Sequence, residues 1–203
     1  MEFSDVVRRR RMVRNYTEDP VDPAAVERIL AAALRAPSAG HTQGQDLVVV
    51  TDPTTRKAIA DLAGEPDYVA RGFDPWISRA PVHVVVCTSK AAYLRRYAEA
   101  DKGGPHGPMA IETGWPVPYW WVDAGATLML LLLAAVDEGL AAGFLGVHAI
   151  PGLRALLGIP DEVDPIGVVT LGHPAPDRRS GSLRRGRRRG RIHREHWTAH
   201  GEP

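Results

Sequence analysis

This chain of 203 residues has one cysteine, few aromatic residues and no apolar run long enough to span a bilayer. Cys87 lies in the apolar stretch 82–87 and has no partner for an internal disulfide, which favours a buried thiol. The longest apolar stretch, 124–136, is shorter than the roughly 20 residues of a membrane helix and is flanked by Asp123 and Asp137. With no signal-peptide pattern at its start, the chain is expected to be cytoplasmic.

Several motifs of common enzymes are also absent. No G-x-G-x-x-G follows a predicted strand, and no G-K-[ST] is present, so neither standard nucleotide-binding fold has support. No cysteine and histidine cluster has the spacing of a structural zinc site. No G-x-S-x-G elbow is present, so the usual serine-hydrolase chemistry is not indicated.

Basic residues are concentrated at the two ends of a chain whose net charge is only +1. Five arginines lie between Arg8 and Arg14, and nine more lie between Arg178 and Arg194. The stretch 15–177 carries 11 basic and 20 acidic residues and is therefore net −9. Two basic clusters around an acidic body predict one shared anionic ligand. A phosphate-bearing small molecule and a nucleic acid are the two candidates.

The pattern of apolar residues predicts a single domain, 1–203, of mixed helices and strands. Helices are expected at 21–36, 52–63, 89–100, 120–138 and 151–157, and strands at 47–51, 82–88, 143–148 and 166–171. Asp22 and Pro23 are typical of a helix start. The valine-rich strand at 82–88 is expected to be central, and the helix at 120–138 is expected to be buried on most sides.

Two segments lack a regular pattern. Glycines and prolines in 102–118 predict an irregular loop, which could serve as a lid or binding segment. Residues 176–203 are polar and basic and predict a C-terminal arm. Four side chains in or beside the loop are candidate substrate contacts, because rings and a cation there could meet a planar ligand: Tyr97, Lys102, Tyr119 and Trp120.

Four segments, in order, resemble the nitroreductase family of FMN-dependent oxidoreductases. Residues 10–16 (RRMVRNY) are similar to the family's R-R-S-x-R-x-[FY] opening, and residues 36–43 (APSAGHTQ) to its A-P-S-x-x-N-x-Q turn. Residues 123–144 are similar to its central helix and the glycine turn beyond. The strand at 168–174 and the closing 193–197 are similar to its last strand and H-x-x-x-W ending. Each motif is weak alone, and their order makes the resemblance specific.

The resemblance implies an α+β fold, with a central mixed or antiparallel sheet flanked by helices. It also implies an intertwined homodimer with a flavin at each subunit interface, FMN as the cofactor and NADH or NADPH as the electron donor. The implied reaction is a ping-pong hydride transfer to a nitroaromatic, a quinone or a similar small acceptor. Because the flavin carries the chemistry, no catalytic acid–base pair and no metal are expected.

The resemblance also assigns cofactor contacts to the arginines. Arg10 and Arg11, with Arg185 or Arg187 of the C-terminal arm, correspond to the residues that hold the FMN phosphate. A guanidinium can bind such a phosphate through two parallel hydrogen bonds. Arg14 corresponds to the cation beside N1 and O2 of the flavin, where reduction places negative charge.

The remaining implied contacts come from two other places. In the turn after the first predicted helix, five residues would serve the flavin whose phosphate is held by the other subunit: Pro37, Ser38, Ala39, His41 and Gln43. Backbone groups at Leu145 and Gly146 would face N5 of the ring. Met12 stands where the family has a serine, so a hydroxyl is lost while its backbone N–H could still serve.

Other positions also depart from the family pattern. His41-Thr42 stands near a position where many members have asparagine, and the pair is similar to the dehalogenase branch of the superfamily. Gly44-Gln45 replaces a common Pro-Trp after Gln43. The C-terminal arm has more arginines than the family pattern needs, so its phosphate ligand is not assigned uniquely.

Two alternatives stay open. A flavoenzyme could use a different donor, such as a deazaflavin, or act on one dedicated metabolite, and the loop at 102–118 would carry that choice. A nucleic-acid-binding protein could use the two arginine clusters, with strongly salt-dependent binding. The acidic middle of the chain and the lack of a helix-turn-helix or aromatic RNA motif count against this second alternative.

Overall fold

The computed structural model describes residues 1–177 and 190–197. Arg185 and Arg187, two of the predicted phosphate contacts, lie outside the described residues. The strands are β1 (Gln45–Val50), β2 (Val82–Thr88), β3 (Ala141–Gly146) and β4 (Asp164–Gly172). The helices are α1 (Phe3–Arg9), α2 (Pro23–Ala33), α3 (Pro53–Leu62), α4 (Glu65–Ala70), α5 (Trp76–Arg79), α6 (Lys90–Tyr97), α7 (Tyr119–Asp137) and α8 (Leu153–Leu157).

The four strands form one sheet in the order β1-β2-β4-β3, and each neighbouring pair is antiparallel. β2 lies inside the sheet, where Val85 is opposite Val48 of β1 and Val168 of β4. All seven residues of β2 are buried. A strand covered on both faces needs apolar side chains on both, which explains its run of valines. The predicted α+β class and the central position of β2 are confirmed.

Helices cover both faces of the sheet. The even-numbered valines of β2 pack with α2 and α7, in a cluster that includes Ile29, Leu131 and Leu132. Val85 and Cys87 of β2 face the other way, toward α3, α5 and α8. This alternation follows from the two-residue period of a strand. The sheet is therefore the middle layer of three.

Helix α2 begins at its predicted cap, and α3 begins one residue after its predicted start. Asp22 accepts a hydrogen bond from the backbone N–H of Ala24 (3.0 Å) at the start of α2. Asp52 does the same for Thr55 (2.7 Å) at the start of α3. In each case a proline follows the capping aspartate, where its missing N–H costs no helical hydrogen bond.

Helix α7 is only half enclosed. In the part of the chain that the structure describes, it is the one helix long and apolar enough to cross a membrane, with a mean hydropathy of 1.6. Leu131 and Leu132 pack on the sheet, whereas Val122 and Met129 are exposed on the side away from Leu131. Trp121 is exposed near the start of the helix. The prediction that this helix is buried on most sides is wrong for the single chain. Apolar composition indicated burial but could not indicate whether the cover comes from the same chain.

Other elements differ from the sequence expectations. Helices α1, α4 and α5 were not predicted. The cap of α5 comes from a residue outside that helix, which no local pattern reveals. The carboxylate of Glu65 accepts hydrogen bonds from the backbone N–H groups of Ile77 (2.6 Å) and Ser78 (3.2 Å). β3 begins two residues earlier than predicted, because its pairing with β4 starts at Ala141 and Gly172.

His83 is a fully buried histidine in β2. Its Nε2 lies 2.7 Å from the backbone oxygen of Ile77, to which the neutral ring donates. Its Nδ1 has no hydrogen-bond partner in the described part of the chain. Burial disfavours the charged ring and lowers the pKa of His83 from 6.5 to about 4. The core therefore holds this imidazole neutral.

We expect His83 to make the fold acid-sensitive. Between pH 6.5 and about 4 the unfolded chain binds a proton that the folded chain refuses, so stability is full above this window and falls as the pH falls through it. His83 alone should lower the free energy of unfolding by about 3 kcal/mol when the pH falls through the whole window. The free energy of unfolding can be measured by urea denaturation at several pH values in this range. Its slope with pH should correspond to about one proton fewer in His83→Gln than in the wild type.

The matched control is His106→Gln, because His106 is exposed. This variant should keep the wild-type slope. A direct reading comes from an NMR titration of the native imidazoles, in which His83 should remain neutral at pH 5. Titration of His83 near its ordinary pKa would contradict the assignment.

Candidate functional site

The turn at residues 38–43 has an unusual backbone. Gly40 (φ 64°), His41 (54°) and Gln43 (51°) are all left-handed. For residues other than glycine this conformation costs roughly 1–3 kcal/mol, so surrounding contacts must hold it. The side chains of His41 and Gln43 are exposed. The 38–43 turn therefore presents polar groups to solvent from a strained backbone.

Hydrogen bonds within and beside the 38–43 turn fix its shape. Ser38 Oγ accepts from the backbone N–H of Gln43 (2.9 Å) and from its Nε2 (3.1 Å). Thr42 Oγ1 donates to the backbone oxygen of Ala39 (2.6 Å). From α6, the Nε of Arg96 donates to the backbone oxygen of Gly40 (2.9 Å). The chain itself thus supplies the hydrogen bonds that set the geometry of the turn.

A buried carboxylate lies beneath the 38–43 turn. Asp123 Oδ2 accepts from the backbone N–H of Ala39 (2.8 Å) and from the hydroxyl of Tyr93 (2.8 Å). Burial, and then the bond to Asp123, raises the pKa of the Tyr93 phenol. The ring of Tyr93 also limits Gly44, where a Cβ would lie 2.8 Å from a ring carbon. The turn therefore rests on α7 and α6.

Aromatic residues extend this support to the loop at 102–118. Trp115 packs against Tyr93, Tyr97 and Trp120, and its Nε1 donates to the backbone oxygen of Met109 (2.8 Å). The loop contains short 3-10 turns and is tied down at Glu112 by an ion pair with Lys90 (2.8 Å).

The four predicted substrate contacts differ in access. Tyr97 lies against the turn, because a Cβ on Gly40 would be 2.8 Å from its ring. Lys102 lies above the ring of Tyr97, with its Nζ 5.9 Å from the ring centre. Tyr119 is 42 % exposed and Trp120 only 3 %. Tyr97 and Lys102 therefore lie beside the turn, Tyr119 is open to solvent, and Trp120 is part of the supporting cluster.

The opening segment, residues 10–16, lies along the outer edge of β3. Met12 bridges Ala142 in parallel, and the backbone N–H of Val13 donates to the oxygen of Ala142 (3.0 Å). The buried Tyr16 lies within hydrogen-bond distance of the Thr170 hydroxyl (2.8 Å). Gly143 makes this approach feasible, since a Cβ there would lie 2.5 Å from the oxygen of Val13.

This packing leaves the predicted arginines outside the core. Val13 is buried, whereas Arg11 is exposed and Arg10 and Arg14 are half-buried. Among the described residues, no carboxylate forms an ion pair with Arg10, Arg11 or Arg14. Guanidinium groups on a fixed backbone without internal partners can bind an anion.

Asn15 holds the opening segment to the start of the C-terminal arm. Its Nδ2 donates to the oxygen of Pro176 (2.8 Å), and its Oδ1 accepts from Arg79 (2.7 Å). Asp177 accepts from the backbone N–H of Arg14 (2.8 Å). Pro176 and Asp177 therefore lie beside the opening segment. The predicted meeting of the two basic clusters stays a prediction, because most of the second cluster lies outside the described residues.

The end of β3 offers backbone groups at the same edge. The oxygen of Ala142 points outward to Val13, so by alternation the backbone groups of Gly146 also point away from β4. By the same rule, the backbone N–H and C=O groups of Leu145 point toward β4. Of these two predicted contacts, Gly146 has the freer backbone.

The predicted contacts therefore form two halves. The arginine half is the opening segment with β3, and Arg9 and Arg11 line a hollow there with Val136 and Leu140. The turn half is the 38–43 turn, which is bonded to Asp123 near the start of α7. Asp123 and Val136 are about 20 Å apart along the helix axis, at a 1.5 Å rise per residue.

Comparison with known proteins identifies the family of this chain. The model of the nitroreductase family matches residues 7–111 and 112–173. The chain belongs to the nitroreductase family. The recognition from the four sequence segments is confirmed.

Individual relatives agree with this membership. The chain is 30 % identical over 192 residues to a protein of Archaeoglobus fulgidus described as a candidate NADH dehydrogenase/NAD(P)H nitroreductase, covering 93 % of this chain and 94 % of that protein. It is 32 % identical over 170 residues to an NAD(P)H-dependent FMN reductase of Bacillus subtilis, covering 81 % and 63 %. A solved hypothetical oxidoreductase of B. subtilis, YcnD, is 29 % identical, with a TM-score of 0.68 and coverage of 87 % and 67 %.

Several residues that shape the candidate site were not among the residues proposed from the sequence. Asp123 and Tyr93 support the 38–43 turn from beneath, Arg96 holds it from the side, and Asn15 fixes the opening segment. Asp123 carries the clearest signal, since it is an acid at the start of an apolar helix. Arg96 and Asn15 bond backbone oxygens of distant residues, and Tyr93 bonds the distant side chain of Asp123, which no local pattern reveals.

Proposed function

We propose that the protein is a cytoplasmic, homodimeric FMN-dependent oxidoreductase that moves electrons from NADH or NADPH to a small acceptor such as a nitroaromatic or a quinone. The observation that carries this proposal is that Arg10, Arg11 and Arg14, held on the edge of β3 in a chain of the nitroreductase family, form no ion pair with any of the described residues. The chemistry that FMN supplies is a two-electron transfer in two half-reactions.

The arginine half would hold the phosphate and the pyrimidine edge of the ring. Arg10 and Arg11 can donate paired hydrogen bonds to a phosphate, with Arg185 or Arg187 of the arm as further donors. The backbone N–H of Met12 would replace the hydroxyl that the family's serine supplies. Arg14 would favour the negative charge that reduction adds beside N1 and O2.

The turn half would orient the flavin. Pro37 would lead into the turn, and Ser38 and Gln43 would supply polar side chains. His41 is exposed on the outside of the turn, whereas Ala39 packs against the aromatic cluster on its inner side. Leu145 and Gly146 would lie near N5, with the outward backbone of Gly146 as the direct contact. Ordinary solvent access at this edge allows protons to come from water, so no acid–base residue is required.

A second copy of the chain would complete each site. Within one chain the two halves lie near opposite ends of α7. Between those ends, α7 exposes an apolar face that includes Trp121, Val122 and Met129. An exposed face of this kind favours association. If two copies pair through α7, the turn half of one chain can approach the arginine half of the other.

The loop at 102–118 would carry the choice of substrate. It is anchored by Trp115 and borders the 38–43 turn through Tyr97 and Lys102. A cation and an accessible ring at this place suit a planar acceptor with polar substituents. The same loop could accept a deazaflavin donor or one dedicated metabolite in place of a nicotinamide and a nitroaromatic.

We expect the purified protein to be yellow and to release FMN on heating, at about one FMN per chain. Anaerobic mixing with NADH or NADPH should bleach the flavin spectrum, and an added quinone or nitroaromatic should restore it. Reduced deazaflavin serves as the comparison donor. Colourless protein that also refuses added FMN would overturn the proposal, and DNA or RNA binding should then be measured against salt concentration.

Replacing Arg10 should separate phosphate binding from ring binding. We expect Arg10→Ala to weaken FMN binding about ten- to one-hundred-fold, because a charge-assisted bond to the phosphate is lost. Riboflavin lacks the phosphate and should bind almost as well as before. Arg8→Ala is the matched control, because Arg8 is exposed and already pairs with Asp5. Equal losses for the two ligands would place Arg10 away from the phosphate.

Mixed dimers should test whether two chains share each site. One chain carries Arg10→Ala with Arg14→Ala, the other carries Ser38→Ala with Gln43→Ala, and the two are co-expressed with different tags. Each variant homodimer should lose FMN. The mixed dimer should recover about half of the wild-type occupancy, because one of its sites combines two unmodified halves. A mixed dimer as empty as the homodimers would mean that each site lies within one chain.

A further inference from the structure

Asp123 is a buried carboxylate without a cation. Asp123 is 7 % exposed, and among the described residues no lysine or arginine forms an ion pair with it. Its carboxylate accepts hydrogen bonds from the backbone N–H of Ala39 and from the hydroxyl of Tyr93, both at 2.8 Å. A charged group loses much hydration on burial, so a carboxylate in this place needs these bonds.

The bond to Ala39 orients the 38–43 turn. Ser38 is extended (φ −137°, ψ 143°), and the left-handed residues Gly40 and His41 follow Ala39 directly. With the N–H of Ala39 held on the inner side, the reversal that follows places Gln43 on the outside, where it bonds Ser38 Oγ. The carboxylate therefore acts on the point at which the chain enters its strained section.

Tyr93 connects the same carboxylate to the aromatic cluster. Its hydroxyl donates to Asp123, and its ring packs edge-on against Trp115 and Trp120. Gln45, just beyond the turn, donates to the Tyr93 oxygen at 2.5 Å. The carboxylate, the turn and the loop at 102–118 are therefore joined through one tyrosine.

We propose that Asp123 is a positioning residue of the flavin site, which acts through the backbone N–H of Ala39 and holds the 38–43 turn in its ligand-binding shape. This inference rests on the proposed function. Asp123 also places a negative charge behind the turn. That charge opposes the added negative charge of reduced flavin, so it lowers the reduction potential of the bound cofactor.

The test compares two buried carboxylates that both accept from backbone N–H groups. Asp123→Asn keeps the size of the side chain but removes the charge, and Glu65→Gln does the same at α5, away from the turn. Glu65 is 5 % exposed and bonds Ile77 and Ser78. The measurements are FMN affinity of the apoprotein, the midpoint potential of the holoprotein and thermal unfolding.

We expect both variants to unfold at lower temperature than the wild type. Asp123→Asn should in addition bind FMN at least about ten-fold more weakly, as expected for loss of a charge-assisted bond. Its bound flavin should have a more positive midpoint potential. Glu65→Gln should keep the wild-type affinity within about two-fold and keep the wild-type potential. Tyr93→Phe leaves the bond to Ala39 and should give a smaller loss of affinity than Asp123→Asn.

A second variant removes the same hydrogen bond from the other side. Ala39→Pro deletes the N–H donor at the first residue of the 3-10 turn, and the extended Ser38 before it is compatible with a following proline. It should also weaken FMN binding about ten-fold. If Asp123→Asn does not fold, Ala39→Pro decides the question.

Two outcomes overturn the inference. If Asp123→Asn, or Ala39→Pro in its place, loses stability while FMN affinity and midpoint potential stay at wild-type values, the carboxylate serves the fold alone. If the wild-type protein binds no FMN, both the proposed function and this inference fail. The first outcome leaves the proposed function intact, so the two failures are distinguishable.

Discussion

The packing of α7 against the sheet is the contact on which the rest of the structure depends. One side of the helix covers the valines of β2 together with α2, and this burial contributes a large part of the apolar core. Near its start, the helix supports the 38–43 turn through Asp123. Near its end, Val136 and Leu140 lie beside the opening arginines. A shift of this one helix would therefore alter the core and both halves of the site together.

Buried polar groups in this protein are used to hold backbone that no regular element supports. Glu65 caps the short helix α5, Asp123 holds the entrance of the 38–43 turn, and Asn15 joins the opening segment to Pro176. Each bonds a backbone group, and each would be costly if left without its partner. His83 donates to the oxygen of Ile77, beside the same short helix. The irregular parts of the fold thus have defined geometry because the core supplies their hydrogen bonds.

Sequence patterns were informative where the cause of a structure is local. The start of α2 follows from Asp22 and Pro23, and the interior position of β2 follows from its valines. The four family segments also located the arginines and the turn, because those motifs require particular residue types. Patterns were uninformative where the cause is distant. The cap of α5 comes from Glu65, and the support of Ala39 comes from a residue much later in the chain.

The sequence by itself determined the class of the protein, its family and the segments that carry the candidate site, because these depend on residue type and order. Only the tertiary structure decided that the two halves of the site lie near opposite ends of α7, that Trp120 supports the site from within, and that one face of α7 is exposed. Composition records how apolar a helix is. It does not record which chain covers it, because burial depends on where the other elements are packed.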